Sequence, residues 1–328
     1  MFTDILGQEK AVSYLQNLVR NGRTPGALLF YGPDGVGKRK TALAFAQALN
    51  CEHPQNAQAC GVCASCQAAQ KGTHPDITLV DFVYQARLAL KSSPTDADYE
   101  EDLAKEVAKQ QHISVDTIRR VTAISQQKSV GTGWKVLIID AANTMQGAAA
   151  NALLKFIEEP PAKTVWILIT NKRAAMLPTI LSRCQPVAFA PLATEQVAQI
   201  LETTQADVTD PVRCARYSGG SVSGALKAAE ALDLLEQGQL GTPQGPCQIA
   251  GGLSRTAAQA RQEAQAVLDV LLCALHTAWV EAEEEKRPVF QAQLSKLEQY
   301  KKSIGRNVSP ALVLETALMG LDGLPLTL

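Results

Sequence analysis

Residues 27–50 read ALLFYGPDGVGKRKTALAFAQALN. The apolar run 27–31 predicts a short buried strand, the apolar-faced stretch 40–50 predicts a helix, and a glycine-rich turn joins them. Gly32, Gly35, Gly37 and Lys38 stand where a phosphate-binding loop of the pattern G-x-x-x-x-G-K-[ST] needs them. In such a loop, backbone N–H groups at a helix N-terminus converge on anionic oxygens and the lysine reaches the outer phosphates. The next position breaks the pattern. It holds Arg39, where a hydroxyl would ligate Mg²⁺. A guanidinium has donors only and stays charged. Thr41, two positions on, points to a different face of the helix. Mg²⁺ binding is therefore expected to be poor, and binding of ATP or ADP is left open.

Outward from this stretch, strands and helices alternate. DITLVD (76–81), WKVLIID (134–140) and TVWILIT (164–170) read as buried strands, and GAAANALLKFIEEPP (147–161) as a helix stopped by Pro160 and Pro161. This order predicts an α/β fold, a parallel sheet with helices on both faces. Residues 91–111 are polar and charged and read as an exposed insertion or a solvated helix. After about residue 190 the pattern becomes all helical, interrupted by GQLGTPQGP (238–246), the best candidate for a linker. The expected division is a P-loop core over 1–190, a small helical domain over 191–237 and an all-α domain over 238–328.

At 328 residues the chain is long enough for two or three domains. Its net charge of −1, with Lys and Arg scattered, gives no basic stripe for autonomous nucleic-acid binding. The N-terminal residues lack the apolar run of a signal peptide, and the apolar stretch 267–280 contains Asp269 and His276 and is too short to span a bilayer. The protein is read as cytoplasmic.

In a reducing compartment the eight cysteines need an account other than disulfides. Cys51, Cys60, Cys63 and Cys66 form C-x8-C-x2-C-x2-C, spacing that suits one structural Zn²⁺ with all four positions closed. An iron–sulfur cluster is the alternative, although the usual downstream x3-C-P is missing. His53 is a second candidate ligand in place of Cys51. His74, His112 and His276 are read as structural, since no nucleophile or paired acid accompanies them.

Several segments, in order, carry a resemblance. They are LGQEKAVSYL (6–15), GPDGVGK (32–38), CGVCASC (60–66), GTHPD (72–76), AAANALLKFIEEPP (148–161), ITN (169–171), LSRC (181–184) and GGSVSGAL (219–226). On these the chain resembles the AAA+ clamp-loader ATPases over roughly residues 5–230, and the resemblance also favours zinc. It implies a P-loop AAA+ core with a zinc-binding insertion at about 51–66, a small helical lid, and a C-terminal collar for oligomerisation. It implies a five-subunit ring with gamma/tau-type ATPase and delta-type subunits that loads a sliding clamp on primed DNA within the DNA polymerase III holoenzyme. Asp140 then matches the metal-orienting acid at a strand end, and Asn171 a further nucleotide-site residue. Arg183 matches the arginine that reaches a neighbouring subunit's ATP, where a trans guanidinium stabilises charge on the transferring phosphoryl group. The chain departs from the hydrolysing pattern three times: at Arg39, at Ala141, where active relatives carry a second acid, and at Ser223, where they often carry an arginine. A non-hydrolysing subunit that donates Arg183 is the expectation. An ATP-hydrolysing motor subunit of the same ring and a lone zinc-bearing DNA-binding module are the alternatives.

Overall fold

Ala27–Tyr31 forms β1, with Leu28 and Phe30 on one face of a sheet and Ala27 and Leu29 on the other. The chain is described from a computed structural model, which covers residues 1–90, 98–131, 133–239, 242–304 and 308–321. It folds as two units, Met1–Pro191 and Leu192–Leu328.

The first unit is a five-stranded, wholly parallel sheet. Ile77–Val80 (β2), Lys135–Ile139 (β3), Thr164–Thr170 (β4) and Gln185–Ala188 (β5) join β1 in the order β2-β3-β4-β1-β5. Helices cover both faces, which explains why the central strands read as continuous apolar runs. On one face, residues of Glu9–Asn21 (α1) and Lys38–Asn50 (α2) pack Leu15, Ala42 and Phe45 on Leu28, Phe30, Val136, Ile138 and Ile167. Beyond α2 lie the short helix Ala64–Gln70 (α3), then Phe82–Ala89 (α4) and Tyr99–Lys109 (α5). On the opposite face, Val115–Gln126 (α6) and Gly147–Glu158 (α7) pack Ile118, Val121, Leu153 and Ile157 on Leu29, Leu137, Ile139, Trp166 and Leu168. This is the AAA+ P-loop architecture. The edge strand β5 contains Pro186 and buries only Val187 of its four residues, so it leaves no apolar run in the sequence. Of the charged stretch 91–111, residues 91–97 lie outside the described residues, and α5 is a charged helix that buries Leu103.

The second unit is helical: Thr194–Thr203, Pro211–Arg216, Val222–Gln237, Gly245–Gly251, Ala257–Glu281, Arg287–Ile304 and Pro310–Met319. Its core joins Val197, Leu201, Leu232 and Leu235 with Leu268, Leu271, Leu275, Leu297 and Leu314. Residues on both sides of position 238 thus share one core, and a lid–collar boundary there is a proposal about assembly and motion. Residues 240 and 241 of the glycine- and proline-rich stretch lie outside the described residues. The helix Ala257–Glu281 is long and apolar enough to cross a membrane by length and composition alone, but Val267, Leu268, Leu271 and Leu275 lie in this core.

Candidate functional site

The loop between β1 and α2 is shaped by its glycines. Gly32 has φ +150°, and a Cβ there would sit 2.3 Å from the Phe189 carbonyl oxygen, so only glycine fits. Gly37, at φ +95°, turns the chain into the first residue of α2, Lys38. The Lys38 side chain is 6% exposed, and its Nζ donates to the carbonyls of Gly32, at 2.7 Å, and Pro33. Burial pushes its pKa down, while Asp34, 3.8 Å away, and Asp140 hold it up. Asn171, directly after β4, donates Nδ2 to Asp34. The loop's lysine, its aspartate and the β4-terminal asparagine therefore form one network.

Arg39 faces the ends of β2 and β3. Its guanidinium lies 2.8 Å from Asp81 Oδ2 and 3.6 Å from Asp140 Oδ2. Asp81 also accepts the Tyr84 N–H at 2.8 Å as the N-cap of α4, and Asp140 accepts the Ala141 N–H at 2.9 Å. Burial raises the Asp140 pKa, against the pull of the Ala141 N–H and Arg39. The Thr41 hydroxyl is buried and donates to Gly37 O at 2.9 Å, on the helix side of the loop. Ala141 occupies the left-handed region at φ 51°, and neither it nor Ala142 offers an acid or base. Sequence reasoning did not name Asp81, although a signal existed. DITLVD and WKVLIID both end in aspartate, and the parallel register Val80↔Ile139 sets those two acids side by side.

Arg183 lies elsewhere. It precedes β5, whose first residue pairs with Leu28 at the start of β1, whereas the phosphate loop follows the other end of β1. Four strand steps of about 3.3 Å separate those ends by about 13 Å. Arg183 thus lies toward the opposite end of β1 from the loop of its own chain. Its Nε donates to Glu158, and Nη1 donates to the Thr179 carbonyl and Ser182 Oγ, both at 3.1 Å. Both partners are substantially exposed, Arg183 at 37% and Glu158 at 44%.

The four clustered cysteines converge. Cys51 ends α2, Cys63 caps α3, Cys66 is buried within α3, and Cys60 lies on the intervening loop. Their sulfurs all lie within 4.8 Å of one another, with Cys60 and Cys66 Sγ 4.0 Å apart. Tetrahedral Zn–S bonds of about 2.3 Å require sulfurs about 3.8 Å apart, so this donor set fits a metal ion. Backbone N–H groups of Cys60, Cys63 and Cys66 point at Cys51, Cys60 and Cys63 Sγ at 3.2–3.4 Å, while burial pushes the Cys51 and Cys66 thiols up. The Cys60 thiol is held down to about 6 by the Val62 and Cys63 N–H groups. His53 is not part of this cluster. His74 is structural, its Nδ1 accepting the Asp76 N–H and its Nε2 meeting Ser65 Oγ, both at 3.1 Å. Gln47 Nε2 further ties α2 to the Cys66 carbonyl.

The chain is similar to several known proteins. The chain is 36% identical over 199 residues to DNA polymerase III subunit delta' of Pseudomonas aeruginosa, an alignment covering 60% of this chain and 53% of that protein. It is 31% identical over 235 residues to the tau/gamma subunit of Haemophilus influenzae, covering 70% of this chain and 30% of that one. The chain thus spans about half or less of the length of these curated relatives. A solved DNA polymerase III gamma subunit-related protein from Thermotoga maritima superposes with a TM-score of 0.56 at 18% identity, covering 93% of this chain and 97% of that one, which establishes the shared fold. The family described as "DNA polymerase III, delta subunit" matches residues 7–193, a region holding the phosphate loop, the cysteine cluster, Asp140 and Arg183. With more than half of its length inside that match, the chain belongs to the DNA polymerase III delta subunit family.

Proposed function

We propose that this protein is a cytoplasmic clamp-loader subunit that does not hydrolyse ATP. It completes a five-subunit ring with gamma/tau-type and delta-type subunits and donates Arg183 to ATP bound by a neighbour. The ring loads a sliding clamp on primed DNA as part of a DNA polymerase holoenzyme. The observation carrying this reading is the Arg39 guanidinium between Asp81 and Asp140. Hydrolysis by a phosphate loop needs a hydroxyl and an acid to hold Mg²⁺, and a group to orient water. Here the acid faces a fixed cation, and alanine follows it.

Lys38, Asp34 and Asn171 satisfy one another within the loop, a network that supports a structural role for the site. In the ring, Arg183 exchanges its Glu158 contact for the neighbour's phosphates, where it stabilises the negative charge that develops on the transferring group. Cys51, Cys60, Cys63 and Cys66 hold one structural Zn²⁺ that fixes the 51–66 insertion to α2 and α3. The deciding experiment compares ATP turnover by the isolated chain with that of the reconstituted assembly. The reading requires no magnesium-dependent turnover alone and a large dependence on Arg183 in the assembly. Turnover by the isolated chain that is lost on changing Lys38 would instead identify an ATP-hydrolysing motor subunit.

A further inference from the structure

The sheet ends at β2, which is paired on one side only. In a parallel ladder each residue directs both backbone groups to one side. The Asp76 and Val80 carbonyls accept from Val136 and Asp140 at 2.8 and 2.9 Å, so residues 77 and 79 face outward. The Ile77 N–H donates to the His74 carbonyl at 3.2 Å. The Ile77 carbonyl and both backbone groups of Leu79 remain at the edge, with no partner among the described residues.

A groove of about 510 Å³ runs along this edge, between Leu43 of α2, the turn after α3 and Tyr84 of α4. Two exposed cations, Lys71 and Arg87, line it and have no ion pair among the described residues. Its one carboxylate, Asp81, already accepts from Arg39 and the Tyr84 N–H.

We propose that the open edge of β2 binds an extended, acidic peptide segment of another protein by strand addition. The edge offers a donor flanked by two acceptors, which a peptide backbone complements. A phosphodiester, having acceptors only, does not. Lys71 and Arg87 select acidic side chains, and the four-residue length of β2 makes the contact short and exchangeable.

The test is fluorescence anisotropy on the full chain with a labelled peptide alternating glutamate with valine or threonine. A control peptide carries lysine in place of glutamate. The acidic peptide binds about tenfold tighter or more, and the Lys71→Glu/Arg87→Glu double variant loses that preference without a change in melting temperature. Amide exchange at Leu79 slows about tenfold in the complex. Leu79→Pro removes the outward N–H together with the packing of Leu79 on the sheet core and abolishes binding, whereas Leu79→Ala, which removes the packing alone, retains it. Equal affinity for the two peptides, unchanged exchange at Leu79, or equal competition by oligothymidylate would each overturn the proposal.

Discussion

Arg39 Nη2 lies 2.8 Å from Asp81 Oδ2, a contact joining the first turn of α2 to the end of β2. The same guanidinium lies 3.6 Å from Asp140, so the residue that breaks the loop pattern also engages the acid placed to hold a metal. Restoring the pattern with Arg39→Ser therefore removes two ion pairs and adds one hydroxyl. The pairs are partly exposed and worth at most about 1 kcal/mol. We expect a small loss of stability in urea denaturation and no gain of ATP turnover, because Ala141 still provides no group to orient water. An Arg39→Ser variant that hydrolyses ATP would show that this one residue silences the site.

Two loop glycines separate steric from conformational need. A Cβ at Gly32 would meet the Phe189 backbone at 2.3 Å, whereas one at Gly37 would meet nothing within 4 Å. Both have positive φ. Gly37→Ala should cost about 1–2 kcal/mol, the penalty for a side chain in left-handed backbone. Gly32→Ala should cost more than about 2 kcal/mol, since backbone must also move. Equal losses in chemical denaturation would contradict the close approach of β1 and residue 189.

Much of this was legible in the sequence because the residues that make the elements are strongly patterned. β1 and β4 coincide with ALLFY and TVWILIT, runs that parallel strands require when both faces are covered. The phosphate loop and the cysteine quartet were legible because their chemistry fixes local spacing. Asp81 and Glu158 were not, since their roles arise from strand register and from β5 returning beside β1. The edge strand β5 itself escaped because half-exposed strands carry little apolar signal.

The cysteine cluster should hold one zinc per chain by elemental analysis. Cys66→Ser, which alters the buried ligand, should abolish stoichiometric zinc and lower the melting temperature. The loss should concentrate in hydrogen exchange over residues 51–75, since Gln47, Asn50 and Ser65 tie this insertion to α2 while the sheet has its own core. Iron with visible absorption would replace the zinc assignment by an iron–sulfur cluster.

His74 makes stability depend on pH. Burial depresses its pKa below 6.5, with Asp76 acting in the opposite direction. The unfolded chain therefore binds the proton more readily, and stability rises with pH across this window. The contribution is fully present above pH 6.5 and is lost as pH falls through the depressed folded value. In urea titrations between pH 7.5 and about pH 5, His74→Asn should flatten this part of the profile. A variant that retains the same slope would assign the dependence to other groups.

Arg183 and Glu158 form an exposed pair, so their removal tests assembly chemistry with little effect on the fold. Arg183→Ala should change the melting temperature of the isolated chain little and leave ring assembly intact. It should lower ATP turnover of the reconstituted complex by a factor of about 10³ or more at the site it faces, the range found for arginines supplied in trans. Glu158→Gln makes the complementary case. It frees the guanidinium from its local carboxylate while keeping the side-chain shape, so turnover should be retained or raised. If Arg183→Ala leaves turnover unchanged while Glu158→Gln destabilises the chain, the arginine serves its own α7 and β5 junction rather than a neighbour's phosphates.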